Sequence, residues 1–300
     1  MFTQKTWFAS TPTQVGNLRY SRQGCLRYDG GPAHASCFDD AMKRLEKNKG
    51  SYHGETIDVG RIQREIRIAA QAFGWVEDCF LQADDLALSA YRRAAGSGQG
   101  KRLYLSAGIH GDEPAGPLAV LDLLQRNWWP DDVGVWLVPC LNPTGFQLNR
   151  RENSSGIDLN RDYRNPVSRE VQSHLRWIGQ QPSFDLALIL HEDWEANGYY
   201  VYEVNPDERV SPAESILKNV AQVCPIEFAE TVDNWEARGG IIRPKLLPGD
   251  RPKWPEAVYL ITTKTRHSFT LEAPSDFPLD VRVRAHVTAV DTVLQSLHSA

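Results

Sequence analysis

The chain of 300 residues has no long apolar run: the longest is five residues, as at Leu186–Leu190, where a membrane-spanning helix needs about 20. It has no C-x-x-C pair. Its five cysteines, Cys25, Cys37, Cys79, Cys140 and Cys224, are odd in number and scattered. That pattern argues against a disulfide framework or a thiolate metal knot and for reduced, packed thiols. It has no excess of positive charge, with 33 basic residues against 38 acidic ones, which excludes a broad electrostatic footprint for nucleic acid. The first ten residues lack the apolar segment of a secretory signal, so a cytoplasmic location is expected. No period of 20–50 residues repeats, which excludes solenoids and propellers. What remains is ordinary globular composition, 41% hydrophobic and 24% charged.

Strand and helix patterns alternate along most of the chain. Helices are expected over Cys37 to Lys49, Thr56 to Phe73, Pro114 to Asn127, Val167 to Ile178, Ser211 to Val223 and Leu279 to Leu297. Strands are expected over Trp75 to Leu81, Leu86 to Arg93, Arg102 to Ala107, Val133 to Leu141, Leu186 to Leu190 and Ser268 to Glu272. The alternation predicts an α/β fold, a three-layer sandwich whose mixed, mainly parallel central sheet is flanked by helices. Residues 1–55, of weak periodicity, read as an N-terminal arm packed on a single catalytic domain of residues 56–300.

Four clusters carry chemistry, each where an apolar strand ends or just after it, the place where open α/β sheets collect ligands. His110 and Glu113 form an H-x-x-E pair directly after the Arg102–Ala107 strand; an imidazole and a carboxylate suit zinc. The same turn also reads as a polar cap on the next helix, with Asp112 near its N-cap. After the Val133–Leu141 strand come Asn142-Pro-Thr-Gly145 and then a loop holding Arg150, Arg151, Asp158, Asn160 and Arg161. Arginines facing one crevice can fork around a carboxylate, although a solvated surface loop has the same composition. His191 closes the Leu186–Leu190 strand and Glu272 closes the strand from Ser268. Alone, the first reads as a hydrogen-bonded core histidine and the second as an acid paired with a neighbouring arginine. Together the four supply His, Glu and His for an open three-ligand site, one further carboxylate and cationic anchors.

In this order the segments resemble the zinc metallocarboxypeptidases of carboxypeptidase A type, particularly compact members, over roughly residues 100–275. The H-x-x-E, N-P-x-G, G-[VI]-D-x-N-R and T-[FL]-E motifs match His110/Glu113, Asn142–Gly145, Gly156–Arg161 and Thr270–Glu272, with His191 as the third metal histidine. The resemblance implies one zinc per chain held by His110, Glu113 and His191. Asp158 would orient a zinc histidine, Arg151 stabilise the oxyanion, and Asn160 and Arg161 bind the free carboxylate of a peptide or acyl-amino-acid substrate. Glu272 would be the general base toward metal-activated water, making the chain a carboxypeptidase. The other reading is an N-acyl amino acid deacylase of the aspartoacylase and succinylglutamate desuccinylase type.

The family often places a mobile tyrosine a few residues before a Gly-Gly pair. Here Trp235 stands there, before Gly239-Gly240, which leaves Tyr199, Tyr200 and Tyr259 as candidates for that role. Ile241, Ile242 and Arg243 follow the glycines. By resemblance they would line the pocket for the terminal side chain, where a buried guanidinium selects an acidic residue. The plainer reading has Arg243 in solvent or paired with Glu236.

Overall fold

The computed structural model describes residues 42–50, 52–83, 86–96, 100–245 and 252–298, together with 19–20 and 26–27. The chain divides into two compact units, Met1–Asp40 and Ala41–Ala300. In the first, β1 (Arg19–Tyr20) pairs antiparallel with β2 (Leu26–Arg27). All that follows concerns the second.

Its first helix, α1 (Val59–Ala72), buries Val59, Ile62, Ile66, Ala69 and Ala70 along one stripe, and the Asp58 carboxylate caps it by accepting from the Arg61 N–H. Gly74 then turns the chain at φ +74°, a conformation that favours glycine. The antiparallel pair β3 (Val76–Ala83) and β4 (Leu86–Arg93) opens a ten-stranded sheet. Next come β5 (Lys101–Ala107), α2 (Ala115–Arg126), β6 (Val133–Val138), α3 (Pro143–Leu148), α4 (Arg169–Gly179) and β7 (Leu186–Asp193). The chain continues through β8 (Tyr200–Val204), α5 (Ala213–Val220) and the short strands β9 (Thr231–Val232), β10 (Trp235–Arg238) and β11 (Ile241–Ile242). It ends with α6 (Glu256–Thr263), β12 (Ser268–Pro274) and α7 (Leu279–His298).

The spatial order is β3-β4-β6-β5-β7-β12-β8-β11-β10-β9. The four central strands β6, β5, β7 and β12 run parallel, so their carboxyl ends meet at one edge. Alternation along them builds two layers. Leu103, Leu105, Leu186, Leu188, Leu190, Phe269 and Leu271 face α1, α2, α5 and α7. Tyr104, Ala187 and Ile189 face α4 and α6 on the other side. Each fully buried leucine contributes about 2 kcal/mol of apolar burial, and the expected three-layer α/β sandwich is borne out. Among the described residues no helix is long and apolar enough to cross a membrane.

The helix expected over Cys37 to Lys49 is corrected. Cys37 to Ala41 lie outside the described residues, and 42–49 are not helical. Their backbone donors go to Asp276: Leu45 N–H to its carbonyl at 2.7 Å and Lys47 N–H to its Oδ1 at 2.9 Å, while Arg44 Nε reaches Oδ2 at 3.1 Å. A buried carboxylate that satisfies these donors outcompetes a helical turn that would pair them locally.

Candidate metal centre

His110 and Glu113 sit on the turn between β5 and α2. The turn is tight because Gly108 takes φ +63° and Gly111 has no side chain: a Cβ on Gly111 would lie 2.0 Å from the carbonyl carbon of Gly145. The metal-side turn and the Asn142-Pro-Thr-Gly145 turn therefore touch backbone to backbone. Asn142 stitches them. Its Oδ1 accepts from Gly145 N–H at 2.9 Å, and its Nδ2 donates to the carbonyls of Ile109 and Arg151, each at 3.1 Å. His191 lies on β7 in register with Glu272 on the neighbouring parallel strand β12, so both side chains leave the same face of the sheet.

The three expected ligands converge. His110 Nδ1 lies 2.5 Å from Glu113 Oε1, and His191 Nδ1 lies 2.9 Å from Glu113 Oε2. One ligand atom from each residue fits within 4.8 Å of the others, and all three side chains are buried. Both Nδ1 atoms face a common centre, so a cation there needs the His110 proton on Nε2. Nε2 is a buried nitrogen without a well-formed hydrogen bond, and it faces Asp158 Oδ1 at 3.4 Å. Asp158 is the acceptor that this tautomer requires. Two imidazole nitrogens and one carboxylate, with a position left open, fit a divalent metal ion.

The electrostatics agree. Burial alone would raise the Glu113 carboxyl, but His110 and His191 reverse it and hold it well below the carboxylate range. Burial would lower His110, but Glu113 and Asp158 raise it above the ordinary histidine value. The cluster attracts positive charge, which protons supply when no metal is bound.

Arg151 Nε donates to Asp158 Oδ2 at 2.9 Å, and its Nη1 comes within 3.3 Å of His110 Nδ1 and 3.9 Å of Glu113 Oε1. Asn160 is buried and already engaged: Oδ1 accepts from Glu256 N–H at 2.9 Å, and Nδ2 lies 3.5 Å from His191 Nε2. Its carboxamide is turned inward, leaving Arg161, exposed and tied to the Asn160 carbonyl at 2.8 Å, as the outward cation of the pair. Glu272 is pushed up to about 8, first by burial and then by the charges of Glu113 and Asp193, against His191 and Arg151.

Of the three candidate tyrosines, Tyr200 pairs directly with Glu272 across β8 and β12, and its hydroxyl donates to Asp193 Oδ2 at 3.0 Å. The Tyr199 hydroxyl is buried against His286 on the opposite face, at 3.2 Å, and Tyr259 packs on Tyr163 beneath the sheet. Trp235 joins Tyr200, Tyr202 and Ile242 in a small apolar cluster.

Arg243 is not brought to the metal cluster. It follows Ile242, which pairs with Tyr202, and β8 runs from Tyr200 beside Glu272 to Val204 beside Ser268. Arg243 is thus level with Glu203 and Phe269, three residues or about 10 Å along the strand direction from Glu272. Its guanidinium bonds Glu203 at 2.7 Å and Glu214 at 2.9 Å, not Glu236, beside a separate cavity of about 800 Å³. Carboxylates on neighbouring elements capture it, so it is not the floor of a pocket at the metal centre.

The sequence reading missed Glu256. This fully buried carboxylate accepts from Tyr104 Oη at 2.7 Å and Ser106 Oγ at 3.0 Å, and its amide holds Asn160. Only its place just after Pro255, at the start of α6, could have marked it. Glu192 and Arg282 were missed as well.

Comparison with known proteins points the same way. Residues 99–203 match the succinylglutamate desuccinylase/aspartoacylase catalytic domain family. Carboxypeptidase SOL1 of Arabidopsis thaliana is 30% identical over 132 residues, covering 33% of this chain and 26% of that protein. Murein peptide amidase A of Escherichia coli strain K12 is 34% identical over 83 residues, covering 28% and 34% respectively. The chain thus spans about a quarter to a third of the curated relatives it matches. A candidate metallopeptidase from Shewanella amazonensis SB2B superimposes with a TM-score of 0.69 at 27% identity, over 80% of this chain and 93% of that one. The resemblance to metallocarboxypeptidases carried by the ordered motifs is borne out.

Proposed function

We propose that this chain is a zinc-dependent hydrolase that cleaves an amide bond next to a free carboxylate, acting as a metallocarboxypeptidase. The observation that carries the reading is the buried His110–Glu113–His191 cluster with Glu272 in register beside His191. When bound, zinc supplies Lewis acidity and brings the pKa of water to near 7. Glu272 would serve as the general base and acid beside the cluster, taking a proton from the attacking water and returning it to the leaving amine. Arg151, held by Asp158 beside the cluster, meets the negative charge that grows on the carbonyl oxygen in the transition state. Arg161, the exposed cation that follows Asn160 in the chain, anchors the substrate carboxylate, and Asn160 fixes the shape of the loop from within.

A deacylase of N-acyl amino acids is the second reading, favoured by the family match over residues 99–203, which includes all three ligands but not Glu272. One panel separates the two. Zinc-loaded protein is offered blocked dipeptides, the same dipeptides with a C-terminal amide, and N-acyl amino acids. Faster turnover of the free-acid dipeptides, with kcat/KM falling about 100-fold or more on amidation, supports the peptidase. Preference for acyl amino acids supports the deacylase. Equal rates on acid and amide remove the carboxylate anchor from both.

A further inference from the structure

A buried ion bridge next to the metal cluster has no part in the chemistry above. Arg282 on α7 has no exposed surface, and its guanidinium lies between two carboxylates, Glu192 and Glu55. Glu192 follows His191 on β7. Its Oε2 takes the Arg282 guanidinium and also accepts from Ser275 Oγ at 3.3 Å, while its Oε1 accepts the Ala115 N–H at 2.6 Å. Ala115 opens α2 two residues after Glu113. One carboxylate is therefore joined by the chain to His191 and by a hydrogen bond to the segment that carries His110 and Glu113. Glu55 closes the bridge from the segment before α1, and Lys47 Nζ holds its second oxygen at 2.6 Å. That segment also touches the Arg151 loop, through Asn149 Nδ2 on the Gly54 carbonyl at 3.3 Å.

We propose that Glu192, fixed by Arg282 and Glu55, is a positioning residue that sets the spacing between His191 and the His110–Glu113 turn. Residues 42–50 and 52–58, which precede the family match over residues 99–203, thereby complete the metal site. The proposal rests on the metal reading above. A buried ion bridge is a poor device for stability alone, because apolar residues of equal volume often serve as well. It is a good device for fixing geometry, since its hydrogen bonds are directional and groups that orient metal ligands tune affinity about 10–100-fold. In Glu192→Gln the amide can still accept from Ala115, but its NH2 group faces the guanidinium, donor against donor, so the bridge opens.

The test is a Co2+ titration of chelator-stripped full-length protein, followed by the visible d–d absorption, with far-UV circular dichroism as the check on folding. Wild type takes one ion, and His191→Ala loses it. Glu192→Gln is expected to fold and to bind Co2+ about 10–100-fold more weakly, with an altered band; Glu55→Gln shows a smaller loss in the same direction. Wild-type affinity and an unchanged band in Glu192→Gln overturn the proposal while leaving the metal site standing. Undiminished binding in His191→Ala overturns the metal reading, and the proposal with it. If Glu192→Gln does not fold, Glu55→Gln decides: wild-type affinity and band there overturn the proposal, and weaker binding with an altered band supports it.

Discussion

Replacing Glu272 by Gln in the metal-free protein should change how stability depends on pH. In the fold this carboxyl is pushed up to about 8, chiefly by burial, against about 4.3 in an unfolded chain. Between these values the native state holds a proton that the unfolded state has released. Its contribution is therefore fully present below about pH 4 and is lost as pH rises through 8. At about 1.4 kcal/mol per unit the ceiling is about 5 kcal/mol. The side chain keeps some access to solvent, and its charge is shared with Glu113, Asp193, His191 and Arg151, so a fall on the order of 2 kcal/mol is expected. Urea unfolding of chelator-treated wild type and Glu272→Gln at pH 5 to 9 measures it. The difference between the two cancels groups that titrate alike in both. Wild type should lose about 2 kcal/mol relative to the variant across that range. With zinc bound, the cation favours the carboxylate and the difference should shrink. A pH-independent difference in the metal-free proteins would refute the argument that this carboxyl is desolvated in the fold.

Arg243→Ala should cost about 1 kcal/mol, because the guanidinium is half exposed and Glu203 keeps His267 as a partner at 2.9 Å. The ratios of kcat/KM for C-terminal Glu, Leu and Lys substrates should not move; a changed ratio would return Arg243 to the specificity pocket. Asp276→Ala should strip the acceptor from the Lys47 N–H and Arg44 Nε, costing about 2–4 kcal/mol. Hydrogen exchange should then rise most over residues 44–48, and unaltered protection there would show that Asp276 does not hold the segment.

The metal cluster was legible because parallel strands announce their ends. Apolar runs such as Leu186–Leu190 stop at a polar residue, and parallel pairing brings those stops to one edge, His191 beside Glu272. The strands β8 to β11 were not legible. Three of them have two to four residues, too few to display a period. The place of Arg243 was not legible for a related reason, since the direction of β8 and β11, not the Gly239-Gly240 pair, decides which end of the sheet it reaches. Arg282 looks in sequence like the polar side of an amphipathic helix. Its burial depends on partners 90 and 227 residues away, a pairing that local periodicity does not contain.

The contact between Gly111 and Gly145 also constrains how such a protein can diversify. A methyl group on Gly111 meets the other turn's backbone at 2.0 Å, and one on Gly145 meets the Asn142 amide at 2.5 Å. A side chain at either position would have to displace backbone or the Asn142 amide, so this junction is held to glycine on both sides. Replacement is tolerated instead where side chains stand in solvent, as at Thr231, Glu236 and Arg238 on β9 and β10.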